Sequence, residues 1–133
     1  MKTEKIKEAY HKYGLDKEDV YKHAHYLIIT RSGLEKIQFI EKIQLDYEVI
    51  KCEKDFCVIK AYATKGSETI QTFGSALKGS SFKDGNTNSW YTIEMAEKRA
   101  MSRGILKICG LYELGIFGED ESESFKKSNN QNN

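Results

Sequence analysis

The sequence predicts an α+β domain: an antiparallel sheet of three or four strands, a long C-terminal helix packed on one face of it, and helices at the N-terminus. Apolar residues recur at helical spacing near both ends of the chain and with a period of two between residues 45 and 78. A length of 133 residues with 39% hydrophobic side chains is enough for one core. We therefore expect a single domain over residues 1–118, followed by a charged, polar and disordered tail over residues 119–133.

The N-terminal third predicts two helices, a strand and a further helix. Residues 3–13 have helical periodicity that ends at Gly14, and Asp16 is placed to cap a short helix through about residue 23. The run "HYLIITR" predicts a strand over about residues 25–31. Ser32 and Glu35 have the spacing of a capping box, which predicts that the next helix begins there.

Residues 47–62 predict a hairpin that turns at Lys54-Asp55. Such a turn would pair Cys52 with Cys57, Ile50 with Ile59 and Tyr47 with Tyr62. One face would then be the core face, with Ile50, Cys52, Cys57, Ile59 and Ala61. The other would carry Tyr47, Val49, Lys51, Val58, Lys60 and Tyr62. Aromatic residues interleaved with lysines are typical of nucleic-acid surfaces and also of ordinary solvated sheets.

The rest of the domain predicts a third strand, a polar loop and the long helix. The run "ETIQTFGSALKG" is the third strand, with Gly74 as a candidate bulge. A loop with two glycines follows, and Asn88 or Ser89 is placed to cap a helix from about 90 to 109 that ends at Gly110. Alanines on the apolar side of this helix would let it lie close to a sheet.

Composition narrows the function classes. The net charge is +1, but residues 119–133 hold four acids and two lysines, which leaves 19 basic and 16 acidic residues, a balance of +3, in the first 118. This mildly basic domain permits a polyanionic partner without requiring one. No segment has the length of a signal peptide core or a membrane span, and three cysteines fit reduced thiols, so we expect a cytoplasmic protein with no membrane partner.

No residue pattern supports catalysis or a cofactor. The glycine-containing loop lacks the order of a phosphate-cradling P-loop, and the cysteines and histidines lack the spacing of a zinc site. Glu94 and Glu97 are three apart on the long helix, but Glu94 is also placed to pair with Lys98. We therefore expect a protein that is not an enzyme and holds neither a metal nor a cofactor.

Cations spaced by four on the long helix are the main candidate binding residues. Arg99, Arg103 and Lys107 would form one stripe, either a row of phosphate contacts or a solvated face. Lys78 and Lys83, before and within the polar loop, would close over a bound strand. Trp90 and Tyr91 would stack a base, with a place in the core as the alternative for Trp90. Arg31, at a strand end, completes the candidates.

The stretch "MAEKRAMSRGILKICGLY" resembles the helix of phage-type single-strand annealing proteins and recombination mediators, the group that includes the Red-beta, Erf and Sak families. The matching positions are Glu97, Arg99-Ala100 and Arg103-Gly104, with Gly110 closing the helix. The order of hairpin, third strand, loop and helix is also similar, over residues 45–112. Residues 1–44 do not match the pattern. The resemblance implies ATP-independent binding and pairing of single-stranded DNA on a ring or helical filament of subunits.

These observations together favour a nucleic-acid-binding protein that binds or anneals single-stranded DNA, or RNA in its place, as a homo-oligomer. The alternative is a protein-interaction module with no nucleic-acid role. Salt separates the two, because phosphate contacts weaken steeply as salt rises and apolar contacts do not.

Overall fold

A computed structural model of the chain describes residues 2–80 and 84–120 and confirms the α+β class. The elements in chain order are α1 (Lys2–Tyr13), β1 (Val20–His23), β2 (Tyr26–Ile29), α2 (Arg31–Glu41), β3 (Gln44–Cys52), β4 (Phe56–Lys65), β5 (Glu68–Leu77), α3 (Thr92–Ile108), a 3₁₀ turn (Tyr112–Leu114) and β6 (Ile116–Gly118). The strands form two three-stranded sheets. Apart from Glu119 and Asp120, the predicted tail lies outside the described residues.

The prediction of a short helix after Asp16 is wrong, because a turn stands there and β1 follows it. Asp19 organises this turn: its carboxylate accepts hydrogen bonds from the Asp16 backbone and from the side chains of Ser32 and Lys36. Burial disfavours the charged carboxylate, but these donors outweigh it and lower the pKa of Asp19 to about 2. The buried carboxylate thus ties the turn to α2.

Helix α2 begins close to the predicted position but with a different cap. Thr30 is the N-cap and accepts a hydrogen bond from the Gly33 backbone at 3.4 Å, while Ser32 donates to Asp19 at 2.6 Å. The predicted capping box is therefore replaced by a longer-range contact. Helix α1 matches its prediction and ends at Gly14, whose φ of +62° favours glycine.

The smaller sheet has the order β1-β2-β6 and was not predicted as a sheet. Strand β2 confirms the strand predicted near residue 25; it pairs antiparallel with β1 and parallel with β6. Strand β6 has only three residues, and alternation of apolar and polar residues cannot identify so short a strand from the sequence. The smaller sheet therefore joins strands from the two ends of the domain.

The main sheet has the order β3-β4-β5 and is antiparallel, as predicted. The hairpin turns where expected and pairs Cys52 with Cys57. The other two predicted pairs are wrong, because a bulge between Val49 and Lys51 shifts the register: Val49 lies opposite Ile59, and Tyr47 lies opposite Ala61. Tyr47 and Val49 therefore belong to the side of the sheet that faces α3.

Helix α3 packs across β4 and β5 and confirms the predicted long helix. Gly74 is not a bulge, since the β4–β5 register is continuous. A side chain at Gly74 would instead collide with the backbone of Ala96 and Ala100, so this glycine sets the close approach of the helix. The cap is also different: Tyr91 precedes the helix and makes no side-chain capping bond.

Helix α3 is covered on more than its sheet-facing side. It also contacts β6 and α2, and Ser102 donates a hydrogen bond to Asp120 at 2.7 Å. Its buried positions therefore run beyond a single apolar stripe; they are Thr92, Ala96, Arg99, Ala100, Met101, Ser102, Gly104, Ile105 and Leu106. Within the described ranges, no helix is long and apolar enough to cross a membrane.

Candidate nucleic-acid interface

Arg99 is a structural residue, which corrects its predicted role as a phosphate ligand. Its side chain is buried, with 6% exposure. The guanidinium donates to the carbonyl of Ser75 at 2.8 Å, to the carbonyl of Asn86 at 2.9 Å and to the Asn86 side-chain oxygen at 3.2 Å. These contacts join α3 to the outer edge of β5 and to the loop that follows it. The guanidinium therefore bonds within the fold and is not presented on an exposed face of α3.

Arg103 makes the same kind of contact one helical turn later. It is exposed, but its guanidinium donates to the carbonyl of Phe73 at 2.8 Å. Residues four apart on a helix are about 6 Å apart along the axis, and carbonyls two apart on a strand are about 6.8 Å apart. The spacing of Arg99 and Arg103 thus matches Ser75 and Phe73. The spacing of the two arginines is therefore explained by their hydrogen bonds to the edge strand β5, and we call the two residues the arginine clamps.

Lys107 is exposed at the other end of α3 from Tyr91. Lys107 lies sixteen positions after Tyr91, which corresponds to about 24 Å along a helix. The sequence candidates therefore do not form one site. Arg31 lies apart as well, at the start of α2, where its guanidinium pairs with Glu35 at 3.2 Å. Lys83 lies outside the described residues.

Trp90, Tyr91 and Lys78 do come together, at a corner of the main sheet before α3. Trp90 is 59% exposed and Tyr91 is 70% exposed, which excludes a core role for Trp90. The Lys78 ammonium lies 4.2 Å from the centre of the Trp90 ring, and that of Lys54 lies 5.3 Å from it. We call these four residues the Trp90 corner. It presents an accessible indole next to two cations.

Backbone hydrogen bonds hold this corner in place. The Lys78 backbone donates to the carbonyl of Asp55 at 2.7 Å, which ties the end of β5 to the hairpin turn that carries Lys54. The Ser89 hydroxyl accepts a hydrogen bond from the Tyr91 backbone at 3.0 Å. Three separate segments thus meet under the two rings.

The side of the main sheet that faces away from α3 carries the second group of aromatic residues. Alternate residues of β4 are buried beneath the helix, so the residues between them lie on this opposite side, which we call the open face. Its members on β4 and β5 include Phe56, Val58, Lys60, Tyr62 and Phe73. Phe73 is 48% exposed. A row of rings is therefore accessible along the sheet.

Lysines lie over the rings of the open face. The Lys60 ammonium is 5.0 Å from the Tyr62 ring centre and 5.8 Å from that of Phe73. The Lys51 ammonium is 5.6 Å from the Phe56 ring centre and also pairs with Glu53 at 3.3 Å. These distances fall within the range of cation–π attraction. Each of these three rings therefore has a lysine ammonium close to it, and the Phe56 ring lies at the end of the sheet where the Trp90 corner is found.

An acidic residue, Glu48, reduces the positive charge of the open face. Glu48 accepts a hydrogen bond from the Tyr62 hydroxyl at 2.7 Å, and Glu48 lies opposite Lys60 in the register. The open face is therefore mixed in charge, with its lysines held close to the rings. Sequence reasoning placed Lys60 and Tyr62 on an exposed face but missed Lys54, Phe56 and Phe73. The alternation of β4 and β5 assigns Phe56 and Phe73 to this face, whereas Lys54 lies in the hairpin turn, where no strand pattern applies.

The two hairpin cysteines differ in burial, contrary to the prediction. Both were predicted on the core face, yet Cys57 is buried and Cys52 is exposed, because β3 is an edge strand beyond the cover of α3. Their sulfurs lie 3.7 Å apart as free thiols. The hydrogen-bonded contact with Cys57 raises the pKa of Cys52, which disfavours its thiolate.

Within residues 2–80 and 84–120, no group of three or more His, Cys, Asp or Glu side chains is arranged to hold a metal ion. No protein-family model, curated protein or solved structure matches the chain.

Proposed function

We propose that the protein binds single-stranded nucleic acid, most favourably DNA, on the open face and the Trp90 corner, and that it acts without catalysis. One observation carries the proposal: four aromatic rings, those of Phe56, Tyr62, Phe73 and Trp90, each lie within 6 Å of a lysine ammonium. Surfaces that bind single strands combine cations with rings on which bases stack.

The geometry suits an extended single strand. Tyr62 lies six positions after Phe56 on β4, a distance of about 20 Å. That length corresponds to about six bases at the roughly 3.4 Å spacing of a stacked B-form strand, and to fewer bases of an extended strand. Bases stacked on rings keep their pairing edges open to a complementary strand, which agrees with the annealing role that the resemblance implies.

The Trp90 corner supplies the strongest electrostatic argument. Lys54 and Lys78 both approach the same indole, so their ammonium groups repel each other. A phosphate near the ring would relieve this repulsion while a base stacks on the indole. Arg99 and Arg103 contribute indirectly by fixing the edge of β5 beside Phe73.

Trp90 is the single tryptophan of the chain, so its fluorescence reports directly on this corner. We expect a single-stranded oligonucleotide to quench the emission and to bind more tightly than the duplex of the same sequence. Contacts from Lys54, Lys60 and Lys78 should give a slope of log K against log salt of about −2, at roughly 0.7 per phosphate contact. Equal affinity for the duplex, or binding without quenching, would contradict the proposed site.

A protein-interaction role remains the second candidate, and the exposed apolar residues of β3 favour it: Val49 is 57% exposed and Ile50 is 50% exposed. An apolar contact through β3 would persist at high salt. We also propose a cytoplasmic location, since the three cysteines are free thiols.

A further inference from the structure

The two edges of the main sheet differ in how their backbone groups are covered. On β5, Arg103 donates to the Phe73 carbonyl, and Arg99 and Asn86 both donate to the Ser75 carbonyl. The Asn86 side-chain oxygen accepts the Leu77 amide at 2.7 Å. Side chains thus occupy the groups that a further strand would need at residues 73–77, which blocks this half of the β5 edge.

The β3 edge has no such cover. Within residues 2–80 and 84–120, no strand pairs with the outer side of β3. Helix α3 lies mainly on β4 and β5, which leaves Tyr47, Val49 and Ile50 between 40% and 57% exposed. An uncovered edge strand with adjacent apolar side chains is a template for pairing with another chain.

We propose that a second copy of the chain pairs antiparallel with β3, forming a closed dimer in which the same edge is used by both subunits. The blocked half of the β5 edge, at residues 73–77, disfavours a head-to-tail contact of β3 on β5, so the self-association that the main sheet favours is β3 on β3. The resulting interface is isologous and closes at two subunits. It differs from the ring or filament that the resemblance implies, since both of those need two different surfaces.

The charges of β3 complement themselves in this arrangement. Asp46 lies in the first half of the strand, Glu48 at its centre and Lys51 in the second half, all on the open-face side. Antiparallel pairing about that centre sets Asp46 of one copy beside Lys51 of the other. The apolar residues Tyr47 and Val49 of the two copies then meet on the opposite side of the joined sheet.

This pairing also bears on nucleic-acid binding, although that consequence rests on the proposed function. A twofold axis perpendicular to the sheet keeps both open faces on the same side. The two surfaces of rings and lysines then become halves of one six-stranded sheet. A strand of nucleic acid could pass from one copy to the next without a change of face.

Sedimentation equilibrium of the full chain, without nucleic acid, tests the dimer. We expect a concentration-dependent monomer–dimer equilibrium and no larger species. Val49→Lys should raise the dimer dissociation constant at least about tenfold, since it replaces a buried apolar contact with a charge. Ser67→Lys adds the same charge in the exposed β4–β5 turn and should leave the constant unchanged. A monomer at every concentration, open-ended growth, or equal effects of the two variants would overturn the proposal.

A charge exchange tests the antiparallel arrangement. Asp46→Lys and Lys51→Asp should each weaken the dimer by a few fold, since each sets like charges together. An equimolar mixture of the two variants restores opposite charges at both contacts and should dimerise as tightly as the wild type. A mixture no tighter than the single variants would overturn the antiparallel pairing. Because no nucleic acid is present, these results are independent of the binding titration.

Discussion

Replacing Arg99 by methionine is expected to lower the free energy of unfolding by about 2–3 kcal/mol, because the buried acceptors that it serves lose a charged donor. The guanidinium bridges the carbonyls of Ser75 and Asn86 with 6% exposure, and methionine fills a similar length without donating a hydrogen bond. Urea unfolding measures the difference, with the midpoint falling and the slope unchanged.

Arg103→Met is the matched control on the same helix. Arg103 makes one carbonyl contact and is exposed, so its replacement should change the free energy of unfolding by less than about 1 kcal/mol. Similar losses from the two variants would show that the guanidinium of Arg99 is not specially buried. A fall in the free energy of unfolding for Arg103→Met alone would show that Arg103, and not Arg99, is the residue that stabilises the fold.

The second large effect is expected at Phe73. Replacing this half-exposed ring on the open face by serine should weaken single-strand binding about 5- to 150-fold, which corresponds to the 1–3 kcal/mol typical of one stacked base. Fluorescence anisotropy with a labelled oligonucleotide gives the dissociation constant.

Phe39→Ser supplies the control, because Phe39 is 82% exposed on α2, outside the main sheet. Both variants remove one exposed phenylalanine, so general changes in solubility affect them alike. The dissociation constant of Phe39→Ser should equal that of the wild type. Equal weakening of both would locate the contact elsewhere or indicate nonspecific binding, and a thermal midpoint for each variant verifies the fold.

Much of the fold followed from local patterns. The period of two over β4 and β5 and the helical spacing of α3 are strong because long segments repeat them. The wrong or missing predictions concern elements that depend on contacts between residues distant in sequence. Asp19 draws Ser32 away from its local capping role, and β6 has three residues that become a strand only beside β2.

The candidate site was predicted less completely for the same reason. The spacing of Arg99 and Arg103 was visible in the sequence, but the carbonyls that they meet belong to β5, more than twenty residues earlier. Only the packing of α3 against β5 shows that both guanidinium groups donate to carbonyls of that strand. Trp90, Tyr91 and Lys78 were each named as candidates from the sequence, but the fold alone shows that Lys78 and Lys54 both lie beside Trp90.

The salt dependence of binding for two matched lysine variants tests most directly whether nucleic acid lies on the open face or along α3. Lys60→Gln removes a cation from the open face, and Lys107→Gln removes one from the far end of α3. We expect the slope of log K against log salt to become shallower by about 0.7 in Lys60→Gln and to stay unchanged in Lys107→Gln. A shallower slope in Lys107→Gln with an unchanged slope in Lys60→Gln would contradict the open-face site and return the contact to α3.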